Sequence, residues 1–248
     1  MGSRCYLPTE SWGSREIRLS GREAHHLTRV LRVHQGDSVT CFDGQGNEAD
    51  AIVTGLNGRE ILLRMGQLHR ASDCAWDISL GVAVPGQGKL EEIVNQATQL
   101  GARRIIPLLT QRTVARLTSE QFSRKVVHLR QIAIEALKQC GLGRLPDLQA
   151  VTPWKDFLKS FPLYDLILMA TVEGPHEGFK ELVIHRRPQR LLVLVGPEGD
   201  FSPEEIQQAV QTGAHRVSLG PSVLRCETAV VVALSVASFL LREHASPP

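Results

Sequence analysis

The stretch from Leu191 to Leu241 constrains the chain more than any other. Leu191 to Val195 is an uninterrupted apolar run, as a parallel strand buried on both faces requires, and it stops at Gly196-Pro197. Ser202-Pro203-Glu204-Glu205 then carries a helix start: Ser202 can cap, Pro203 suits the first helical position, and Glu205 completes a capping box. Gly213 can take the left-handed conformation that ends this helix. Arg216 to Leu219 reads as a short strand broken by Gly220-Pro221, and Thr228 to Leu241 as a buried core helix. Two strands of one parallel sheet would each end in a Gly-Pro turn, and ligands of open α/β sheets bind at the carboxyl ends of strands. The two turns are expected to share one pocket, although the turns alone are equally compatible with plain tight connections.

The residues of the first turn narrow the ligand. Glycines ahead of a helix N-terminus favour phosphate, but Glu198 and Asp200 would repel it, and neither GxGxxG nor GxxxxGK[ST] occurs. A ligand with amide-like edges and no net negative charge fits better. A doubly wound nucleotide-binding fold is disfavoured as well, since its fingerprint should open an early βα unit and these turns come in the last quarter of the chain.

The segments GPEGDFSPEEI and SLGPSVLRCETAVVVAL resemble the paired signature of the SPOUT methyltransferases, most closely the 16S ribosomal RNA uridine N3-methyltransferase family, and the chain matches in order along its length. The resemblance implies an α/β fold: a C-terminal trefoil-knot domain with a parallel sheet, preceded by a small N-terminal PUA-like β-barrel. It also implies S-adenosylmethionine as cofactor, 16S rRNA or the small ribosomal subunit as partner, and a homodimer. Three loops would hold the cofactor. The first follows the buried strand Leu166 to Ala170 and brings Met169 and Thr171; the second brings Leu194, Gly196, Glu198 and Gly199; the third brings Leu219 and Leu224. Arg225 and Glu227, in the matching LRCETA turn, are the catalytic candidates. An arginine stays protonated and can stabilise negative charge on a uracil ring. Spacing alone equally allows Arg225 a structural ion pair with Glu227 or Glu198. Cys226 has no nearby base and is a weak nucleophile candidate.

The chain also departs from the family pattern. Gln99 and Lys138 stand where Glu is expected, Leu142 and Ser222 where Arg is expected, and Asp200 where Gly is expected. Two alternatives follow: a SPOUT methyltransferase acting on another RNA site, or an RNA-binding ribosome-assembly factor with weakened catalysis.

Residues 1–72 read as the β-barrel and 73–248 as the methyltransferase domain, with a linker around Gln67 to Trp76. Asn57-Gly58 between DAIVTG and REILLR is a strong hairpin signal. One short helix interrupts the strands, with Ser20 and Glu23 as a capping box and Leu27, Val30 and Leu31 facing inward. Its other side carries Arg22, His25, His26 and Arg29, with Arg32 just beyond; on composition alone this is a solvated face. HHLTRVLRVHQGD is similar to the RNA-recognising N-terminal segment of the same family, which makes Arg22, His26, Arg29 and Arg32 candidate RNA contacts. Lys89, Arg124 and Arg144 extend that set. Arg103 to Arg144 holds nine Lys and Arg against two Asp and Glu, a basic segment in a chain of net charge +2.

Lys89 to Leu100 is an amphipathic helix with Leu90, Ile93, Val94, Ala97 and Leu100 on one face, and a basic helix is expected from about Glu120 to Cys140. Five widely spaced cysteines with no CxxC pair argue against a disulfide framework and a zinc site, and for a reducing compartment. No metal and no membrane partner is expected, and the expected location is the cytoplasm.

Overall fold

The computed structural model describes residues 2–74, 76–86, 88–113 and 119–242. The chain divides into two compact units, Met1–Asp73 with Leu137–Leu145, and Cys74–Ala136 with Pro146–Pro248.

In the first unit, β1 (Ser3–Tyr6), β2 (Glu16–Leu19), β3 (Ser38–Phe42), β4 (Asn47–Asn57) and β5 (Glu60–Arg70) form a sheet in the order β1-β3-β4-β5-β2. Only the β1–β3 pairing is parallel. The hairpin forms where Asn57-Gly58 places it: Asn57 pairs with Glu60, and Gly58 has φ 62°, which a side chain would resist. β5 runs on to Arg70, so the ladder extends past the expected linker start at Gln67. Backbone pairing of Leu68, His69 and Arg70 with Ala49, Glu48 and Asn47 sustains it through a run of exposed residues.

The short helix α1 (Gly21–His25) departs from the expected pattern in two ways. Ser20 makes no capping bond. Glu23 turns inward instead, where its carboxylate accepts the Tyr6 N–H at 3.0 Å and pairs with Lys138 Nζ at 2.6 Å. After α1 the chain makes a π-turn over His26–Val30, with the Leu31 N–H donating to the His26 carbonyl at 3.0 Å. The wider turn breaks the three-and-four spacing. Leu27 stays in the core, but Val30 and Leu31 come out 62% and 41% exposed.

In the second unit, β6 (Asp77–Ala83), β7 (Arg104–Leu109), β8 (Asp147–Leu148), β9 (Thr152–Pro153), β10 (Leu166–Ala170), β11 (Arg190–Val195) and β12 (Ala214–Val217) are parallel throughout. Their order is β12-β10-β11-β6-β7-β8, with β9 also on β7. The helices are α2 (Lys89–Gln99), α3 (Ser119–Cys140), α4 (Trp154–Phe157), α5 (Phe179–Arg186), α6 (Pro203–Gln211) and α7 (Cys226–Arg242). On α2, Leu90, Ile93, Val94 and Ala97 are buried as their spacing requires. α7 packs against α2, α5, β6 and β11, which accounts for its long apolar run. The other face of the sheet rests on an aromatic cluster in which Trp154 contacts Phe157, Phe161 and Phe201 with ring centroids 5.3–6.5 Å apart.

β12 begins and ends two residues earlier than the reading Arg216 to Leu219. It is paired with β10 over Ile167↔Ala214 to Ala170↔Val217, and it stops where β10 stops. Ser218 then turns the chain by accepting the Gly220 N–H at 3.2 Å. On α3 the inward face is Phe122, Leu129, Ala133, Ile134 and Leu137, and Val127 is 73% exposed.

Removing one partner of a buried ion pair strands the other. Lys138→Met should therefore lower unfolding free energy in urea by about 3–5 kcal/mol, and adding Glu23→Gln should recover most of the loss.

Candidate functional site

β10, β11 and β12 lie side by side and parallel, so the turns after all three emerge at one edge of the sheet. These turns enclose a cleft of about 650 Å³, open mouth included. The two Gly-Pro turns share it as expected: Gly196, Pro197 and Glu198 line one side, and Leu219, Gly220, Pro221 and Leu224 the other. Thr171 and Val172, after β10, form the third wall, and Cys226 and Ala229 at the start of α7 contribute to the lining.

The helix start at Ser202 forms as its sequence requires. Ser202 accepts the Glu205 N–H at 3.2 Å, and Glu205 accepts the Ser202 N–H at 2.9 Å. Glu205 reaches further with its other oxygen, which takes the Gln111 N–H at 2.7 Å. Arg112 adds bonds to the Gly199 and Phe201 carbonyls at 2.6 and 3.4 Å. The turn after β11 is thus anchored to the loop after β7.

Of the residues singled out from the sequence, Thr171, Gly196, Glu198, Leu219 and Leu224 line the cleft. Gly196 is crowded: a Cβ there would come within 3.0 Å of the Phe201 ring and 3.1 Å of its backbone nitrogen. Met169 and Leu194 are different. Both are fully buried in the apolar core, because strand alternation turns their side chains into the sheet's packing rather than toward the strand ends. Gly199 lies outside this lining, in a neighbouring groove with Arg112 and Phe201.

Lys89 occupies a position that sequence reasoning assigned to RNA contact. Its ammonium lies 3.3 Å from the Glu198 carboxylate and 3.4 Å from that of Glu227. It bridges the β11 turn and the first turn of α7. Lys89, not Arg225, holds these two carboxylates, which corrects the ion-pair alternative for Arg225. Nothing in the spacing revealed this, since 109 residues separate Lys89 from Glu198. Arg225 is exposed and makes no ion pair among the described residues; its neighbours Leu224 and Cys226 both line the cleft. The Cys226 thiol is pushed up to about 12 by burial and then by the negative charges of Glu198 and Glu227, so it stays protonated at neutral pH.

The remaining basic candidates lie elsewhere. Arg22, Arg29 and Arg32 are exposed and His26 half-buried on and after α1, with Arg32 in the left-handed region at φ 54°. Arg124 pairs with Glu120 at 2.9 Å on the surface of α3, and Arg144 with Asp73 at 3.0 Å in the first unit. Leu142 contributes its carbonyl, which accepts from Arg4 at 3.2 Å.

A parallel α/β sheet with a cleft built from three strand-end turns places the chain among α/β proteins whose ligand sites lie at the strand ends, and comparison with known proteins narrows the class. A family model described as an RNA methyltransferase domain matches residues 72–238, and one described as an RNA methyltransferase PUA domain matches residues 19–65. The chain belongs to this RNA methyltransferase family, whose fold is the SPOUT α/β trefoil-knot domain preceded by a PUA-like domain. It is 27% identical over 227 residues to the ribosomal RNA small subunit methyltransferase E of Bacillus subtilis, covering 89% of both chains. It is 29% identical to the protein of the same description from Synechocystis, covering 97% of this chain and 78% of that one. A Legionella pneumophila methyltransferase solved with bound SAM superposes with a TM-score of 0.87 at 28% identity, covering 96% of this chain and 98% of that one.

The Lys89 bridge has a defined pH window. Glu198 is held below the usual carboxylate range by its own backbone N–H, and further by Lys89. Lys89 is held above its ordinary value, chiefly by its bond to Glu198. A depressed acid contributes stability above its unfolded value and loses it as pH falls through the folded one; a raised base contributes below its unfolded value and loses it as pH rises. The difference in Tm between the protein and Lys89→Met should therefore be greatest near neutral pH and shrink at both extremes, below about pH 4 and above about pH 10.

Proposed function

We propose that the protein transfers a methyl group from S-adenosylmethionine to N3 of a uridine in 16S rRNA of the small ribosomal subunit. The observation that carries this reading is the cleft where the GPEG and LGP turns converge, with the exposed Arg225 between two of its lining residues. The residues suit the cofactor. Backbone amides and carbonyls of the three turns offer partners for an adenine edge, Val195, Leu219, Leu224 and Ala229 supply apolar walls, and a Cβ at Gly196 would fill a close approach. Thr171, Gly196, Glu198, Leu219 and Leu224 would hold the cofactor directly, with Met169 and Leu194 supporting the walls from the core and Gly199 supporting the turn.

The bound cofactor would supply an electrophilic methyl group on a sulfonium. This chain's residues must orient the base and favour its deprotonated form. Arg225 carries a permanent charge and pairs with no carboxylate among the described residues, so it is placed to stabilise the uracil anion. Glu227 acts at one remove, by fixing Lys89 against the β11 turn. Cys226 remains a protonated thiol and packs. RNA would be gripped by Arg22, His26, Arg29 and Arg32, with Arg124 and Arg144 adding phosphate contacts. Lys89 serves the cleft before it can serve RNA.

A homodimer fits the same reading, and the exposed Val236 and Phe239 on α7, 37% and 63% accessible, supply an apolar patch for it. A cytoplasmic site of action agrees with the free thiols of Cys5, Cys41, Cys140 and Cys226. No helix among the described residues is long and apolar enough to cross a membrane.

The test is calorimetric titration with S-adenosylmethionine, followed by methyl incorporation into 30S subunits and identification of the product nucleoside. Micromolar binding and 3-methyluridine are expected. Arg225→Ala should lower kcat by about 10²–10³-fold with cofactor affinity nearly unchanged. Cofactor binding without methyl incorporation would instead point to an assembly factor, and a ribose-methylated or other product to a different RNA site.

A further inference from the structure

Asp200 stands where the family pattern carries glycine, and its backbone keeps the glycine-like conformation, with φ 61°. A non-glycine residue pays for a left-handed backbone in conformational energy, though Asp tolerates it better than most. The side chain uses that position. One carboxylate oxygen accepts the Phe201 N–H at 2.8 Å, within its own turn. The other accepts the Val172 N–H at 2.8 Å, twenty-eight residues away in the turn after β10. A glycine could make neither bond.

The two turns joined by this bond differ in how firmly they are held. The β11 turn is anchored from behind by Arg112 and Glu205, and within itself by the Asp200 N–H to Pro197 carbonyl bond at 2.9 Å. In the β10 turn, Val172 is 52% exposed and residues 173–175 are exposed too. Its other ties run to β12 and within the turn: the Thr171 N–H donates to the Val217 carbonyl at 3.1 Å and the Glu177 N–H to the Arg216 carbonyl at 2.8 Å, Thr171 Oγ1 meets His176 Nε2 at 3.0 Å, and the Arg216 guanidinium lies on the Glu173 carbonyl. Among the described residues the Asp200 carboxylate ties the anchored β11 turn directly to the exposed β10 turn, and both Val172 and Asp200 are part of the lining.

We infer that Asp200 is a positioning residue that clasps the β10 turn to the β11 turn and so holds the cofactor cleft in its binding shape before the ligand arrives. The inference rests on the proposed cofactor reading of this cleft. A wall ordered in advance does not have to be ordered at the expense of binding, so the clasp raises affinity and slows release.

The experiment compares the full-length protein with Asp200→Gly and Asp200→Asn. Amide hydrogen exchange of the free protein, read by mass spectrometry over peptides covering residues 171–176, should accelerate in Asp200→Gly by about tenfold, as expected for loss of a charge-assisted hydrogen bond. The Kd for S-adenosylmethionine should rise by a similar factor, about tenfold, mostly through faster dissociation. Thermal stability should stay level or rise, because glycine relieves the left-handed strain. Asp200→Asn keeps the backbone preference but has one acceptor oxygen for two N–H groups, so it should fall between the two. A merely structural role predicts the opposite pattern, a lower Tm with unchanged affinity. Unchanged exchange and affinity in Asp200→Gly, when the unaltered protein binds cofactor, would overturn the clasp and leave the methyltransferase reading intact. Failure of the unaltered protein to bind S-adenosylmethionine would overturn both.

Discussion

β10 is hydrogen-bonded along both edges, to β11 on one side and β12 on the other, and all three strands run the same way. Everything at the site depends on this arrangement. Parallel neighbours deliver their turns to one end of the sheet, so three segments distant in sequence must meet there. β10 and β11 are wholly apolar where they pair with each other, β12 brings His215 and Arg216 to its pairing with β10, and Met169 and Leu194 are sealed in the core beneath the turns. The core fixes the strand ends, and the strand ends fix the mouth of the cleft. The β12 boundary follows the same logic, because that strand lasts only as long as β10 offers it a partner.

Above this apolar base the cleft is secured by a few polar ties, each spanning separate segments. Lys89 joins the β11 turn to the start of α7 through Glu198 and Glu227. Glu205 and Arg112 join the β11 turn to the loop after β7. Asp200 joins it to the β10 turn. The β11 turn is the hub of all three, which gives GPEGDFSPEE a density of function that helix capping alone would not require. The same ties decide what stays available for chemistry. With Lys89 occupied by both carboxylates and Cys226 protonated, Arg225 stands beside the lining as an exposed cation with no ion pair among the described residues.

Features set by local sequence were legible, and features set by distant partners were not. The Asn57-Gly58 hairpin, the Ser202–Glu205 capping box, the apolar strands Leu166–Ala170 and Leu191–Val195 and the buried face of α2 each depend on residues a few positions apart. The shared cleft was legible too, because two glycine turns after two parallel strands have one place to meet. The N-terminal helix misled because Ser20 and Glu23 have capping-box spacing, yet the carboxylate gains more from a buried lysine 115 residues away. A π-turn, which leaves no clear mark in composition, then moved Val30 and Leu31 to the surface. The Lys89 bridge was invisible for the same reason: no periodicity connects a helix start to carboxylates more than a hundred residues downstream.

The departures from the family pattern are better understood as local solutions than as losses. Lys138 replaces an expected acid but is paired at 2.6 Å with Glu23, whose second oxygen is also occupied by the Tyr6 N–H. Asp200 replaces glycine, keeps its backbone angle and makes two bonds that glycine cannot. Gln99 finds Asn95 one turn back on its own helix. A buried lysine left without its acid would cost several kcal/mol, and an unsupported left-handed aspartate about 1–2 kcal/mol, so each substitution persists only with its partner present. A site in decay has no reason to acquire such partners. Thr171, Gly196, Glu198, Leu219 and Leu224 line one cleft, and at the altered position 200 the carboxylate ties two of its turns together.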